Sequence, residues 1–195
     1  MTEKEKMLAG ALYDASDSEL AELRKTAHNL CKDYNDTYED EREKRLQIMR
    51  KFWGDRAEDI YLQGPIQFDY GVFTTFGKGF YANFNLTVLD CCPVIFGENV
   101  FVGPNCTFAT PIHPMSAEER KPYVNAKGVM TCREYAKPVT VGDNCWIASN
   151  AVICAGVTIG EGCVIGAGSV VTRDIPPHSF AAGNPCRVIR KIEHT

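Results

Sequence analysis

The chain has 195 residues, 24% of them charged, with a formal net charge of −4. That length allows one domain with a sizeable core and a small appendage, and the negative balance gives no general attraction for nucleic acid. No apolar run approaches the roughly 18 residues of a membrane helix, and the opening "MTEKEKMLAG" has no apolar signal-like stretch, so no membrane partner and a cytoplasmic location are expected.

Residues 1–60 read as a helical segment. "EKEKMLAGALYD" suggests a short helix ending near Asp14. In "SDSELAELRKTAHNLCKDYND", Ser16 or Asp17 offers an N-cap, and Leu20, Leu23, Ala27, Leu30 and Cys31 recur at helical spacing. "YEDEREKRLQIMRKFWG" gives a further helix, stopped by Gly54, whose charges read as a solvated face with i,i+4 ion pairs.

From residue 66 the period becomes six. Val141, Ile147, Ile153, Ile159, Ile165 and Val171 follow one another without a slip, and Gly142, Ala148, Gly160 and Gly166 come directly after four of them. Two residues before an aliphatic stand Cys145, Ala151, Val157, Cys163 and Ser169, all small or modest. Phe96, Val102 and Phe108 keep the period upstream, and Tyr70, Phe76, Ala82 and Val88 carry a degenerate form of it. Six is neither the helical nor the strand period; it marks stacked hexapeptides. Each hexad is a short strand and a turn, three hexads close a triangular coil, and the aliphatic points inward onto its equivalent one coil away. The expected fold is mainly β, a left-handed parallel β-helix over 61–180, with about thirteen hexads in roughly four coils and a basic C-terminal tail over 181–195.

The pattern breaks over 109–138, "ATPIHPMSAEERKPYVNAKGVMTCREYAKP". Loops of that length are uncommon and usually functional. His113 lies at its root between Pro111 and Pro114, which stiffen the approach. His28, in the helical part, and His178 and His194, in the tail, read as surface or packing residues. The nine cysteines include no CxxC pair and read as small apolar fillers, so no metal site is expected.

"DYGVFTTFGKGFYANFN", "ATPIHP" and "EYAKPVTVGDNCWIASNAVICAGVTIGEGCVIGAGSVVTRDIPPHSFAAGNPCRVIRKI", with "MLAGALYD" near the start, together resemble the sugar O-acetyltransferases. These are the maltose, galactoside and nodulation-factor acetyltransferases of bacteria, and the resemblance covers nearly the whole chain. It implies acetyl transfer from acetyl-CoA to a sugar hydroxyl, with no metal, in a homotrimer whose sites lie between subunits. His113 matches the family's catalytic base. A histidine suits that role because its pKa lies near the working pH, so it can deprotonate a hydroxyl and then protonate a leaving thiolate. Asn83, in "YANFN", matches the asparagine that meets the substrate and stabilises the oxyanion.

Asp14 and Asp69 match acidic positions that bind sugar hydroxyls. Glu134 stands where it would orient His113 or bind sugar. Ser149, Ala167 and Thr172 match cofactor contacts, Trp146 reads as a groove wall, and Arg187 and Arg190, with Lys191, are placed to reach the nucleotide phosphates. Read from the residues alone, Asn83 also fits a turn asparagine, Glu134 a solvent-facing carboxylate, and the tail a merely solvated basic stretch.

The chain departs from the family in places. "WIAS" stands for the usual "WIGG" or "WIGS", "FDYG" for "CDYG", and Cys91 occupies a position that is acidic in the galactoside enzymes. Two other readings stay open: an acyltransferase for another small hydroxyl acceptor such as an antibiotic, and a non-catalytic β-helix serving as scaffold.

Overall fold

Gly10 ends the first helix earlier than the sequence suggests. The computed structural model describes residues 1–193, so His194 lies outside the described residues. Helix α1 spans Glu3–Leu8, with Thr2 and Glu5 capping each other at its start. At its end Ala11 N donates to Lys6 O and Gly10 N to Met7 O, a Schellman closure. That closure needs the left-handed φ of +72° at Gly10, where a Cβ would also come within 3.0 Å of the Ala136 carbonyl oxygen. Tyr13–Asp14 therefore forms a strand and not a helix end.

Helix α2 spans Ser18–Asn35, capped by Asp17, and buries Leu20, Ala27, Leu30, Cys31 and Tyr34. Helix α3 spans Arg42–Trp53 and stops at Gly54, whose φ is +58°. These two helices close the N-terminal end of the repeats. Leu30, Cys31, Tyr34, Ile48 and Met49 share one core with the coil interior.

The repeats form a parallel β-helix of three faces. The first face runs Ile60–Leu62, Phe80–Ala82, Phe101–Val102, Trp146–Ile147, Val164–Ile165 and Ser179–Ala182, with Arg187–Lys191 added antiparallel at the end. The second runs Ile66–Phe68, Leu86–Leu89, Thr107–Ala109, Val152–Ile153 and Val170–Val171. The third runs Thr74–Phe76, Val94–Phe96, Val139–Val141 and Thr158–Ile159, with a bridge from Ile159 to Ile175.

Registers confirm the inward stacking. Val102 faces Ile147 and Ile147 faces Ile165; Phe108 faces Ile153 and Ile153 faces Val171; Phe96 faces Val141 and Val141 faces Ile159. All of these are buried. The stack is taller than roughly four coils, because Ile60–Leu62 and Ser179–Ala182 extend the first face at either end.

Tyr70 is not in the stack. Phe68 holds its expected place, facing Val88, and Tyr70 turns into a second cluster with Met7, Tyr13, Leu20, Cys91 and Cys92. The path from Phe68 to Phe76, and from Val88 to Phe96, thus carries two residues more than a hexad. The long excursion leaves from the same edge, between Phe108 and Val141. Three irregularities therefore stack between the second and third faces, and they break the regular coil there.

The excursion is ordered. Pro111–Ile112 pairs with Arg133–Ala136, which pairs in turn with Tyr13–Asp14. Tyr123–Val124 and Met130–Thr131 form a hairpin beyond them. All nine cysteines are free, and all but Cys132 and Cys154 are buried. Among the described residues no helix is long and apolar enough to cross a membrane.

Candidate active site

Buried polar groups build the irregular edge. Asp90 is fully buried and accepts from Tyr70 N at 2.8 Å, Gly71 N at 3.1 Å and Thr74 Oγ1 at 2.9 Å, which fixes the two-residue bulge. Burial pushes its carboxyl pKa up, against those hydrogen bonds. Thr110 anchors the root of the excursion, donating to Leu89 O at 2.7 Å and accepting from Cys92 N at 3.0 Å.

Three residues on, His113 is exposed. Its Nδ1 lies 3.2 Å from the Arg133 carbonyl oxygen. A carbonyl only accepts, so Nδ1 carries the proton and Nε2 presents a lone pair. Glu134 follows Arg133 and is half-buried. Burial raises its pKa, while the His113 and Arg24 charges pull it down.

Tyr13, opposite Glu134 in the small sheet, is 3% exposed. Its hydroxyl makes no hydrogen bond of good geometry and lies near Cys91 and Glu134. Asp69 accepts from the Cys91 thiol, Sγ to Oδ2 being 3.6 Å, and His28 Nε2 lies 3.8 Å from its Oδ1. Burial raises the Asp69 pKa against these partners. Arg24 donates to the Tyr70 hydroxyl at 2.8 Å and to Ala15 O at 2.9 Å.

The structure thus brings together His113, Glu134 and Asp69. It adds Tyr13, Arg24, His28 and Cys91, which sequence reasoning did not nominate. Arg24 and His28 are four apart on α2 and so share a helical face; that spacing was the available signal. His28 is not simply a surface residue, since it pairs with Asp69. Asp14 lies on the same strand as Tyr13 but its carboxylate is taken by Ser16, Asn125 and Thr131. Burial opposes its ionisation, yet those hydrogen bonds prevail and hold its pKa at about 2.

A different edge carries the other nominated residues. Between the first and second faces lie Asn83, Ser149 and Ala167, each one or two residues past an inward side chain. Asn83 Oδ1 accepts from Phe84 N at 2.7 Å, so its amide NH2 is the group left to donate. Trp146, 54% exposed, points outward from the first face beside this edge. Arg187 and Arg190 are exposed on the closing strand of that face, opposite Ala182 and Phe180. Thr172 follows Val171 and so belongs to the His113 edge. Within one chain, Asn83, Ser149 and Ala167 therefore do not meet His113. Among the described residues no group of three or more His, Cys, Asp or Glu is arranged to hold a metal ion.

Residues 6–55 match the family described as the maltose acetyltransferase hexapeptide capping motif, and residues 138–173 match the bacterial transferase hexapeptide, six repeats. The galactoside O-acetyltransferase of Escherichia coli K12 is 42% identical over 96% of this chain and 88% of its own. A crystal structure of a maltose O-acetyltransferase from Clostridium difficile 630 is 43% identical, with a TM-score of 0.87 over 100% of this chain and 99% of that one. A galactoside acetyltransferase in complex with coenzyme A is 40% identical, with a TM-score of 0.85 over 99% of this chain and 92% of that one.

Proposed function

The chain belongs to the galactoside and maltose O-acetyltransferases of the hexapeptide-repeat class, and from that membership we propose that it moves the acetyl group of acetyl-CoA to a sugar hydroxyl, in sites shared by neighbouring subunits of a homotrimer.

His113 is the general base. With Nδ1–H committed to the Arg133 carbonyl, Nε2 takes the proton of the acceptor hydroxyl. The acceptor oxygen attacks the thioester carbonyl carbon, a C–O bond forms, and the carbonyl π pair moves onto oxygen. The Asn83 amide of a neighbouring subunit donates to that oxyanion. Collapse breaks the C–S bond, and the imidazolium returns its proton to sulfur. No acyl-enzyme is needed. Cys91, beside this group, stays a neutral thiol because burial and the Asp69 charge both raise its pKa. Asp69 accepts from sugar hydroxyls, and Glu134, between Tyr13 and His113, steadies the imidazolium.

Acetyl-CoA lies along the Asn83 edge. The coil ladder there uses the amides of Ala148, Asn150, Gly166 and Gly168. It does not use those of Ser149 and Ala167, which suit the amide carbonyls of a pantetheine arm. Trp146 walls the groove, Arg187 and Arg190 meet the phosphates, and Thr172 contributes from the His113 edge of the other subunit. The nine free thiols suit the reducing cytoplasm.

The observation that carries the shared site is the split of base and oxyanion donor between two edges of one prism. The surface agrees. Tyr61, Phe84, Phe101 and Trp146, each 45–54% exposed, line the first face and its edge with Asn83, an apolar strip that a second copy would cover. The test is acetylation of a panel of mono- and disaccharides, read by mass spectrometry. An acetylated sugar is expected. Acetyl-CoA binding with no acetylated sugar would move the acceptor to another small hydroxyl compound, and no acetyl-CoA binding by calorimetry would leave the scaffold reading.

A further inference from the structure

Tyr13–Asp14, Arg133–Ala136 and Pro111–Ile112 form one small sheet, so the N-terminal segment and the root of His113 are held together. Side chains on a strand alternate between faces. Tyr13, opposite Glu134, lies on the His113 side; Asp14, opposite Arg133, lies on the other. There the Asp14 carboxylate is occupied by the chain itself. Its Oδ1 accepts from Ser16 N at 2.9 Å, Ser16 Oγ at 2.7 Å and Thr131 Oγ1 at 2.8 Å, and its Oδ2 accepts from Asn125 Nδ2 at 2.7 Å. Asn125 in turn organises the hairpin turn: its Oδ1 accepts from Lys127 N and Val129 N, each at 3.0 Å.

The hairpin's other ties are polar and near the surface: Asn125 Nδ2 also donates to Ser16 Oγ at 3.0 Å, Lys127 Nζ lies 3.6 Å from Asp17 Oδ2, and the Arg133 guanidinium lies over the Tyr123 ring. Val124, Val129 and Met130 are 59%, 43% and 65% exposed, so apolar burial contributes little there. Hydrogen bonds to a charged acceptor are the strong kind. Thr131 stands two residues before Arg133, the residue whose carbonyl fixes the His113 ring.

We propose that Asp14 is a positioning residue: its carboxylate clasps the excursion at Asn125 and Thr131 and so sets the Arg133 carbonyl that orients His113. The role rests on His113 being the base and requires no contact between Asp14 and the sugar.

The test compares wild type, Asp14→Asn, and the double variant Asp14→Asn/Asn125→Asp. The single variant sets two amide donors against each other. The double variant moves the carboxylate across the same contact and restores a donor–acceptor pair. The single variant should lose about 10- to 100-fold in kcat, the scale of a misplaced catalytic group, with sugar and acetyl-CoA KM within about threefold. The double variant should recover most of that loss. Hydrogen–deuterium exchange over residues 123–136 should quicken in the single variant and slow again in the double, with thermal unfolding confirming that each variant folds.

A rise in sugar KM at unchanged kcat, with no recovery in the double variant, would make Asp14 a direct sugar ligand and overturn the proposal. Unchanged exchange in the single variant would also overturn it. If wild type acetylates no sugar, the exchange comparison still decides the clasp, and only the proposed acceptor falls.

Discussion

Replacing His113 with alanine should separate catalysis from stability. The imidazole is exposed and makes one hydrogen bond, Nδ1 to the Arg133 carbonyl. Losing such a bond costs about 1 kcal/mol or less, which for a chain of this size shifts Tm by no more than about 4 °C. Positioned general acid–base groups contribute about 10²- to 10⁴-fold, or about 2.7–5.4 kcal/mol of barrier. The measured loss should fall in kcat, because His113 is held by protein and not by the sugar, and KM for both substrates should change little. The assay is loss of thioester absorbance on a sugar that wild type acetylates, which avoids interference from the chain's own thiols. A His113→Ala variant within about threefold of wild-type kcat would refute the assignment of the base.

Arg187→Ala and Arg190→Ala should each raise the acetyl-CoA KM about tenfold without changing kcat, and should leave turnover of acetyl-pantetheine untouched, since that donor lacks the nucleotide phosphates. Glu134→Gln should lower kcat yet raise stability at neutral pH. Burial raises the folded pKa of Glu134, so its favourable contribution is present below the unfolded pKa and is lost as pH rises through the raised folded value. The Tm gain of the variant should therefore be largest at neutral pH and vanish in acid. Asp14 has the opposite sign. Its pKa is held at about 2, so Asp14→Asn should destabilise at neutral pH, by an amount that shrinks as pH falls toward that value. Ile153→Ala removes a fully buried side chain stacked between Phe108 and Val171. It should cost about 2–5 kcal/mol in urea denaturation.

The run from Val141 to Val171 was legible because each inward position takes one aliphatic and each corner one small residue, so the spacing survives in the letters. The bulges were not. Tyr70 falls six before Phe76 and is apolar enough to pass as a core residue, but the Asp90 carboxylate captures the Tyr70 and Gly71 amides and forces the slip. Gly10 hid the strand at Tyr13–Asp14, because a helix end and a helix followed by a turn look alike until the Schellman closure is seen. His113 announced itself by breaking a regular pattern. Its neighbours Arg24 and His28 offered only their four-residue spacing on α2, since their partners Tyr70 and Asp69 come from a distant part of the chain. Asn83 and His113 could both be nominated from the sequence, but the edges they occupy follow from strand register and not from spacing.

Subunit complementation tests the shared site most directly. His113→Ala and Asn83→Ala chains, each inactive alone, would be co-expressed in equal amounts and the mixed trimers isolated by distinct tags. A site needs an intact His113 from one chain and an intact Asn83 from its neighbour, and a mixed cyclic trimer has one such junction among its three, so the isolated mixed trimers should recover about a third of wild-type activity. Mixed trimers with no activity above the separate variants would place both residues in one chain's site and contradict the account.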